Sequence, residues 1–271
     1  MTTGTPSLQS GHSSAGYDGT AYAGWQRQAN AHAIQAAIED ELAVILGAHH
    51  AIVAAGRTDS GVHAAAQIAS VTIDHPIPLD ELLRALNARL KAGDIRIRAI
   101  DETFAGFDAR SYAKSKTYRY AIWNGPAPNP FIRHVVWHVP HALDLNRMVA
   151  ATPAVIGEHD FAAFQGSGSD VKTTVRRMLA AELLEVDINA EQPVALPAID
   201  NSKSTGRLLR FEITGTGFLR HMVRTIVGTL VDIGRGNMAP EEMAAVIASG
   251  ERSRTGQTAP PQGLMLWKVQ Y

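Results

Sequence analysis

Two stretches of this chain each alternate segments of helical apolar period with short β-branched segments, which predicts an α+β fold. In the first stretch, residues 29–47 and 79–90 have apolar residues every three or four positions, as amphipathic helices do. Segments with the β-branched content of strands lie at 51–55, 67–73 and 94–100. If residues 16–25 conceal an opening strand, the order is β-α-β-β-α-β, an antiparallel sheet with helices on one face.

The second stretch repeats this alternation from residue 116 onward. Strands are predicted at 116–123, 134–139, 179–188, 207–217 and 263–271. Helices are predicted within 143–157 and over 218–236 and 239–250. We therefore predict a disordered tail at 1–15, an N-terminal α+β domain at 16–111 and a C-terminal α+β domain at 112–271. The polar segment 189–206 is predicted to be an inserted hairpin loop.

Composition excludes several kinds of site. The 271 residues include no cysteine, which rules out disulfides, thiolate zinc sites and a cysteine nucleophile and fits a reducing cytoplasm. No apolar run approaches the roughly 18 residues of a membrane span, and the start lacks the pattern of a signal peptide. The net charge of −1 counts mildly against a nucleic-acid partner unless lysines and arginines gather on one face.

The turn AAGRTDSGVHA, Ala54 to Ala64, combines charged side chains with two glycines directly after an apolar strand. On an extended segment Arg57 and Asp59 point the same way, and a nearby arginine lowers the pKa of a carboxylate. An ionised carboxylate suits a nucleophile. The alternative interpretation is that Asp59 only accepts a backbone amide in an Asx turn. A phosphate-binding loop is a third possibility, but the segment lacks the Lys-Ser/Thr ending of a P-loop.

Residues 107–123 interleave basic and aromatic side chains, namely Arg110, Lys114, Lys116 and Arg119 with Tyr112, Tyr118 and Tyr120. This pattern suits RNA, because cations pair with phosphates and aromatic faces stack on bases. It is equally typical of a solvated strand with cross-strand tyrosines.

The predicted helix 218–236 places Arg220 and Arg224 four residues apart, on one face. Apolar residues to either side predict that Arg224 is partly buried, where an arginine needs a carboxylate partner. The histidines show no spacing typical of metal ligands, so no metal site is predicted. His159 and Asp160 are interpreted as structural polar contacts.

Six segments, taken together and in this order, resemble the TruA family of tRNA pseudouridine synthases: YDGTAYAGWQRQ, AGRTDSGVHA, FDARSYAKSKTYRY, GEHDFAAF, FLRHMVRTIVG and TAPPQGLMLWKVQY. The resemblance spans residues 17–271. It implies two ferredoxin-like α+β domains whose antiparallel sheets join around a central basic cleft. It also implies isomerisation of uridine to pseudouridine at positions 38–40 in the tRNA anticodon stem-loop, by a homodimer without metal or cofactor.

The resemblance also implies roles for individual residues. Asp59 is the expected nucleophile, Tyr118 the active-site aromatic and Arg224 the partner of the aspartate. The expected contacts to tRNA are Arg27, Arg57, Arg110, Lys114, Tyr118 and Arg220. Acidic residues are expected on outer faces, namely Glu39, Asp40, Glu241 and Glu242.

The segment before YDG departs from the family pattern. Family members open with an apolar strand there, whereas this chain has the polar LQSGHSSAG, which predicts either a weakened first strand or an N-terminus that differs from the functional one. Two other functions remain open from the residues alone: an RNA-binding or tRNA-folding protein with vestigial catalysis, and a small-molecule hydrolase that uses Asp59.

Overall fold

The computed structural model describes residues 9–90, 93–168, 171–187 and 206–271. All but the last residue of the predicted inserted loop at 189–206 lie outside these ranges, as do residues 1–8 of the predicted tail. The strands are β1 (Gln9–Tyr17), β2 (Val53–Ala54), β3 (His63–Ile73), β4 (Ile95–Thr103), β5 (Ser115–Asn124), β6 (Trp137–Val139), β7 (Gly157–Asp160), β8 (Val175–Val186), β9 (Arg207–Gly215) and β10 (Leu264–Gln270). The helices are α1 (Ile34–Leu46), α2 (Leu79–Arg89), α3 (Leu145–Ala151), α4 (Met222–Gly234) and α5 (Glu242–Ser249).

The chain folds into two compact units. The first runs to Lys114 and includes the returning segment Leu266–Tyr271, and the second is Ser115–Met265. No helix within the described residues combines the length and the apolarity needed to cross a membrane.

The sheet of the first unit has the order β4-β1-β3-β10, with β2 also paired to β3. Strand β1 is antiparallel to both β3 and β4, and β2 is antiparallel to β3. Helix α2 packs against β4 and against α1. Helix α1 buries Ile34, Ile38 and Leu42 and ends at Gly47, whose positive φ of 73° suits glycine.

Strand β1 corrects the prediction of a tail over 1–15, because residues 9–15 already belong to the strand. Its neighbours β3 and β4 hydrogen-bond its backbone on both edges, and that pairing does not depend on apolar side chains. Ala15 and Tyr17 at its end are buried. A polar, glycine-containing sequence therefore forms a strand between two others.

In the second unit, β9 lies between β5 and β8 and is antiparallel to both. Strand β7 continues antiparallel beside β8, and β6 pairs in parallel with β5. Helix α3 lies within the range 143–157, as predicted, and ends where a 3-10 turn begins at Thr152, because Pro153 has no amide hydrogen for a longer α-helix.

Helix α4 forms the buried centre of the second unit, with Met222, Ile226, Leu230 and Ile233 all almost fully buried. It begins at Met222, so the prediction of a helix from residue 218 is wrong for its first four residues. His221 has a φ of 62°, in the left-handed region, and the helix cannot extend through it.

The predicted combination of helices with largely antiparallel strands is confirmed by these pairings. The ferredoxin-like pair of domains with a joined sheet and a central basic cleft stays a prediction.

Candidate active site

The turn that carries Asp59 follows β2 directly. Asp59 is half-buried, Thr58 is buried and Arg57 is exposed. The carbonyl oxygen of Asp59 accepts a hydrogen bond of 3.1 Å from Val62 N, which closes the turn before β3. The turn therefore presents a carboxylate and a guanidinium at the end of a short strand, as the sequence predicted.

Polar side chains fix the turn from the side of the sheet. Gln67 is fully buried, and its Nε2 donates to the carbonyl oxygen of Gly56 at 2.8 Å. The Tyr17 hydroxyl and Thr58 Oγ1 are hydrogen-bonded at 2.8 Å. Burial raises the pKa of Tyr17 to about 12, against the weaker opposing effect of its hydrogen bonds, so this phenol stays protonated. Gln67 Oε1 is buried without a hydrogen-bond partner.

Residues 22–28, here called the covering loop, lie against the backbone of the same turn. Trp25 N donates to the carbonyl oxygen of Thr58 at 3.0 Å, and the carbonyl oxygen of Tyr22 accepts from Gly61 N at 3.2 Å. Gly24 has a φ of 93°, and a Cβ there would lie 2.6 Å from Thr58 O. Only glycine fits this approach, so the turn and the covering loop form one packed unit.

Arg27, at the end of the covering loop, makes ion pairs with helix α1. Its Nε donates to Glu39 Oε2 at 2.7 Å, and its Nη2 donates to Asp40 Oδ1 at 2.7 Å. The Glu39 side chain is only 1% exposed, so its predicted place on an outer face is wrong. Glu39 is buried because it follows Ile38 on the buried side of α1, where Arg27 and other donors reach it. Asp40 is exposed, as predicted.

Tyr118 lies on β5 and is 7% exposed. Its ring makes an edge contact with Phe218, with centroids 4.9 Å apart and planes at 75°. Tyr120, two residues on, is fully buried, and its hydroxyl donates to the carbonyl oxygen of Pro260 at 2.7 Å. Burial raises the pKa of Tyr120. Both tyrosines are buried, and Tyr120 is the more deeply buried of the two.

Arg224 lies on α4 and is half-buried, as the sequence predicted. Its Nε donates to the carbonyl oxygen of Ala259 at 2.7 Å, and its own carbonyl oxygen accepts from Ala259 N at 3.1 Å. Helix α4 also packs against β5, the strand of Tyr118. The second unit thus brings together the two elements that carry Tyr118 and Arg224.

Arg220 does not share a helical face with Arg224, because it precedes both the left-handed His221 and the start of α4. That prediction is wrong. Arg220 is exposed, and its Nη1 donates to the carbonyl oxygen of Ser167 at 3.0 Å. The guanidinium is thereby placed beside the segment that follows Phe164.

The remaining predicted RNA contacts are Arg57, Arg110 and Lys114, and all three are exposed. Arg119, in contrast, forms a cross-strand ion pair with Glu212. The polar segment around β7 has a structural role, as predicted: a ring nitrogen of His159 is 2.8 Å from Ile156 O, and Asp160 Oδ1 accepts from Ala162 N at 3.0 Å. Across the ranges that the structure covers, no group of three or more histidines, aspartates or glutamates is arranged to hold a metal ion.

Sequence reasoning missed the supports of the Asp59 turn. Gln35 and Glu39 are polar residues four apart on the buried side of helix α1, and Gln67 is a fully buried amide in strand β3. A polar residue at a position whose period requires burial is the signal that points to such a support. The roles predicted for Asp59, Tyr118 and Arg224 remain predictions.

Comparison with known proteins identifies relatives along nearly the whole chain. The family described as tRNA pseudouridine synthase matches residues 14–109 and 151–271. The tRNA pseudouridine synthase A of Geobacter sulfurreducens is 41% identical over 255 residues, which cover 94% of this chain and 96% of that protein. The enzymes of the same name from Syntrophotalea carbinolica and Acetivibrio thermocellus are each 40% identical over 255 residues, again 94% of this chain, and 93% and 96% of their own lengths.

Proposed function

The chain belongs to the tRNA pseudouridine synthase family, and on that premise we propose that it modifies the anticodon stem-loop of tRNAs with Asp59 as the nucleophile. The enzyme is an isomerase that converts uridine in tRNA into pseudouridine. One observation carries the proposed role of Asp59: its half-buried carboxylate stands on a turn whose backbone is fixed from both sides.

The reaction needs a nucleophile but no oxidant or reductant. The N1–C1′ bond of uridine breaks, a C5–C1′ bond forms, C5 loses a proton and N1 gains one, so substrate and product have the same atoms. A carboxylate assists either by adding to C6 of the base or by acting at C1′ of the ribose. Both routes need Asp59 ionised at neutral pH.

Arg224 is proposed to supply the positive charge that keeps the nucleophile ionised. A guanidinium is protonated at any physiological pH, and a half-buried one interacts more strongly with a carboxylate than an exposed one does. The backbone of Arg224 is fixed by α4 and by Ala259, which supports a defined position for its side chain.

Tyr118 is proposed to stack on the target base after it leaves the RNA helix. Extrusion of a base costs a few kcal/mol, and stacking on an aromatic ring returns about 1–3 kcal/mol. The edge contact with Phe218 leaves the orientation of the Tyr118 ring restricted before RNA binds, which supports this role.

Binding of the tRNA backbone is proposed to use the exposed cations Arg57, Arg110, Lys114 and Arg220. The homodimer, the joined sheet with its basic cleft and the cytoplasmic location that the family implies are part of this proposal. With a net charge of −1, attraction for RNA depends on where these cations gather.

Release of tritium from C5 of uridine in tRNA transcripts tests the nucleophile. We expect the wild-type protein to release tritium, and Asp59→Asn to bind the same tRNA but turn over at least about 1,000-fold more slowly. Asp74→Asn, which changes an exposed aspartate of the same unit, is the matched control and is expected to behave like wild type.

Two outcomes would contradict the proposal. Turnover by Asp59→Asn close to the wild-type rate would exclude Asp59 as the nucleophile. A wild-type protein that binds tRNA but is inert on every tRNA would instead support an RNA-binding protein with vestigial catalysis.

A further inference from the structure

Glu39 connects the two chain segments that flank the Asp59 turn. Its Oε1 accepts from Ile52 N at 2.9 Å, directly before β2 leads into the turn. Its Oε2 accepts from Arg27 Nε at 2.7 Å, at the end of the covering loop. Gln35 Nε2 also donates to Glu39 Oε1 at 2.8 Å. One buried carboxylate thus ties the strand that enters the turn to the loop that covers it.

Both the backbone and the side chain of Arg27 donate hydrogen bonds to groups of helix α1. Its guanidinium also donates to the carbonyl oxygen of Ala36 at 3.2 Å and to Asp40 at 2.7 Å. Its backbone N donates to Gln35 Oε1 at 3.0 Å. A phosphate contact would have to compete with two carboxylates already bonded to the same guanidinium, one of them buried.

The covering loop transmits this constraint to the turn. Its carbonyl oxygens at Gly24 and Trp25 accept from the first amides of α1, Ile34 N at 3.1 Å and Gln35 N at 2.9 Å. The same two residues touch the backbone of Thr58 and Asp59. A loop that shifts on α1 therefore moves the backbone that carries the Asp59 carboxylate.

We infer that Arg27 and Glu39 are positioning residues, whose ion pair fixes the covering loop and thereby sets the place of the Asp59 carboxylate. The inference rests on the proposed role of Asp59 as the nucleophile. It replaces the expectation that Arg27 contacts tRNA. A misplacement of about 1 Å at a reacting group lowers a rate by as much as 100-fold, so the effect falls on turnover and not on tRNA affinity.

The test compares Arg27→Met, Arg27→Lys and the matched control Arg89→Met. Arg89, at the end of α2, makes an ion pair with Glu41 of helix α1. It is remote in sequence from the covering loop. For Arg27→Met we expect kcat for tritium release to fall by about 10- to 100-fold with the Kd for tRNA within about twofold of wild type. Arg27→Lys keeps a cation at Glu39 and is expected to recover most of kcat, and Arg89→Met to match wild type.

An effect of Arg27→Met on the Kd for tRNA without an effect on kcat would overturn the inference. A phosphate contact predicts that Arg27→Met weakens tRNA binding, lowers the salt dependence of binding by about one charge and leaves kcat unchanged. Wild-type values of both kcat and Kd in Arg27→Met would overturn it equally.

Hydrogen exchange separates this inference from the proposed function. The Trp25 and Gly61 amides bridge the covering loop and the turn, so both are expected to exchange about 10-fold faster in Arg27→Met and at the wild-type rate in Arg89→Met. Tritium release by the wild-type protein with unchanged exchange in Arg27→Met would overturn the inference alone. Faster exchange in Arg27→Met together with a wild-type protein that releases no tritium would overturn the proposed function and not the link between Arg27 and the turn.

Discussion

Glu39 keeps its charge at a position from which water is almost excluded. Burial alone would raise the pKa of its carboxyl, but hydrogen bonds from Ile52 N, Gln35 and Arg27 outweigh that effect and leave the pKa below its ordinary value of 4.5. His49 Nε2 also faces the carboxylate, at 3.5 Å. Since the folded state binds the ionised form more favourably than the unfolded chain does, this residue links stability to pH.

We predict that Glu39→Gln lowers the free energy of unfolding by about 1–3 kcal/mol at pH 7, because charged hydrogen bonds are replaced by neutral ones. A lowered folded-state pKa means that the contribution is complete above pH 4.5 and is lost as the pH falls through the folded-state value. Urea unfolding of both proteins from pH 7 down to about pH 3 measures the difference.

The comparison for this prediction is Glu41→Gln, on the same helix but in a more exposed ion pair. Its effect is expected to be below about 1 kcal/mol at every pH. A stability difference between wild type and Glu39→Gln that stays constant down to pH 3 would show that ionisation of Glu39 is not its source.

Among single residues, the sequence pointed to the candidate catalytic residue Asp59 but not to Glu39, which helps to fix its position. Asp59 stands out because a charged residue between glycines follows an apolar strand, and the resemblance adds a role. The helical period places Glu39 beside the buried Ile38, but its charge favours an exposed position like that of its neighbour Asp40. Burial of Glu39 depends on Arg27, which approaches from a loop, and sequence spacing does not report that approach.

Some glycines are needed because another backbone segment packs too close for a Cβ, and others are not. In β1, a Cβ at Gly11 would make ordinary contacts, 3.4 Å from Asp101 O and 3.9 Å from Ile100 Cγ2. In α4, a Cβ at Gly228 would lie 1.7 Å from the carbonyl oxygen of Gln257. Gly11 increases the conformational entropy of the unfolded chain, which disfavours folding, and no close packing requires it. Gly228 allows the backbone at Gln257 to pack directly against the buried helix.

We predict opposite effects for the two alanine substitutions in urea unfolding. Gly11→Ala should raise the free energy of unfolding by about 0.4–1 kcal/mol, because it restricts the unfolded chain. Gly228→Ala should lower it by about 1–3 kcal/mol or more, because Gln257 has to move away. A Gly228→Ala protein as stable as wild type would mean that the backbone at Gln257 yields freely.

The spacing of apolar residues predicts that a helix or strand exists better than it predicts where that element begins. The apolar stripe through Met222, Ile226 and Leu230 is confirmed, yet the helix begins after His221. A single left-handed residue sets that start, and nothing in the apolar period marks it. For β1 the error is opposite, because backbone pairing on both edges forms a strand over residues 9–15, where the polar side-chain pattern predicts a tail and a weakened first strand.

The charge of the whole molecule bears on how one chain attracts tRNA. The sequence carries nearly equal numbers of acidic and basic residues, 26 and 25, so one chain offers RNA little net attraction. Exposed cations such as Arg57 and Arg110 attract phosphates only where they outnumber nearby carboxylates. A second copy of the chain would double the number of such cations available to one tRNA.

We therefore predict that the active protein is a homodimer. Sedimentation equilibrium at the concentrations used for tritium release should give twice the chain mass of 29.1 kDa. A species of 29.1 kDa that retains full activity under those conditions would exclude the dimer as a requirement.

The return of the chain to its first unit has a consequence for synthesis on the ribosome. Strand β10 lies beside β3, and Leu266–Tyr271 belongs to the unit that contains Asp59. Every residue of Ser115–Met265 is translated before that strand leaves the exit tunnel, so the unit begun first is the one completed last. Until then only the two residues of β2 pair with that edge of β3, and the rest of the edge is unpaired, the kind of surface that chaperones protect in nascent chains.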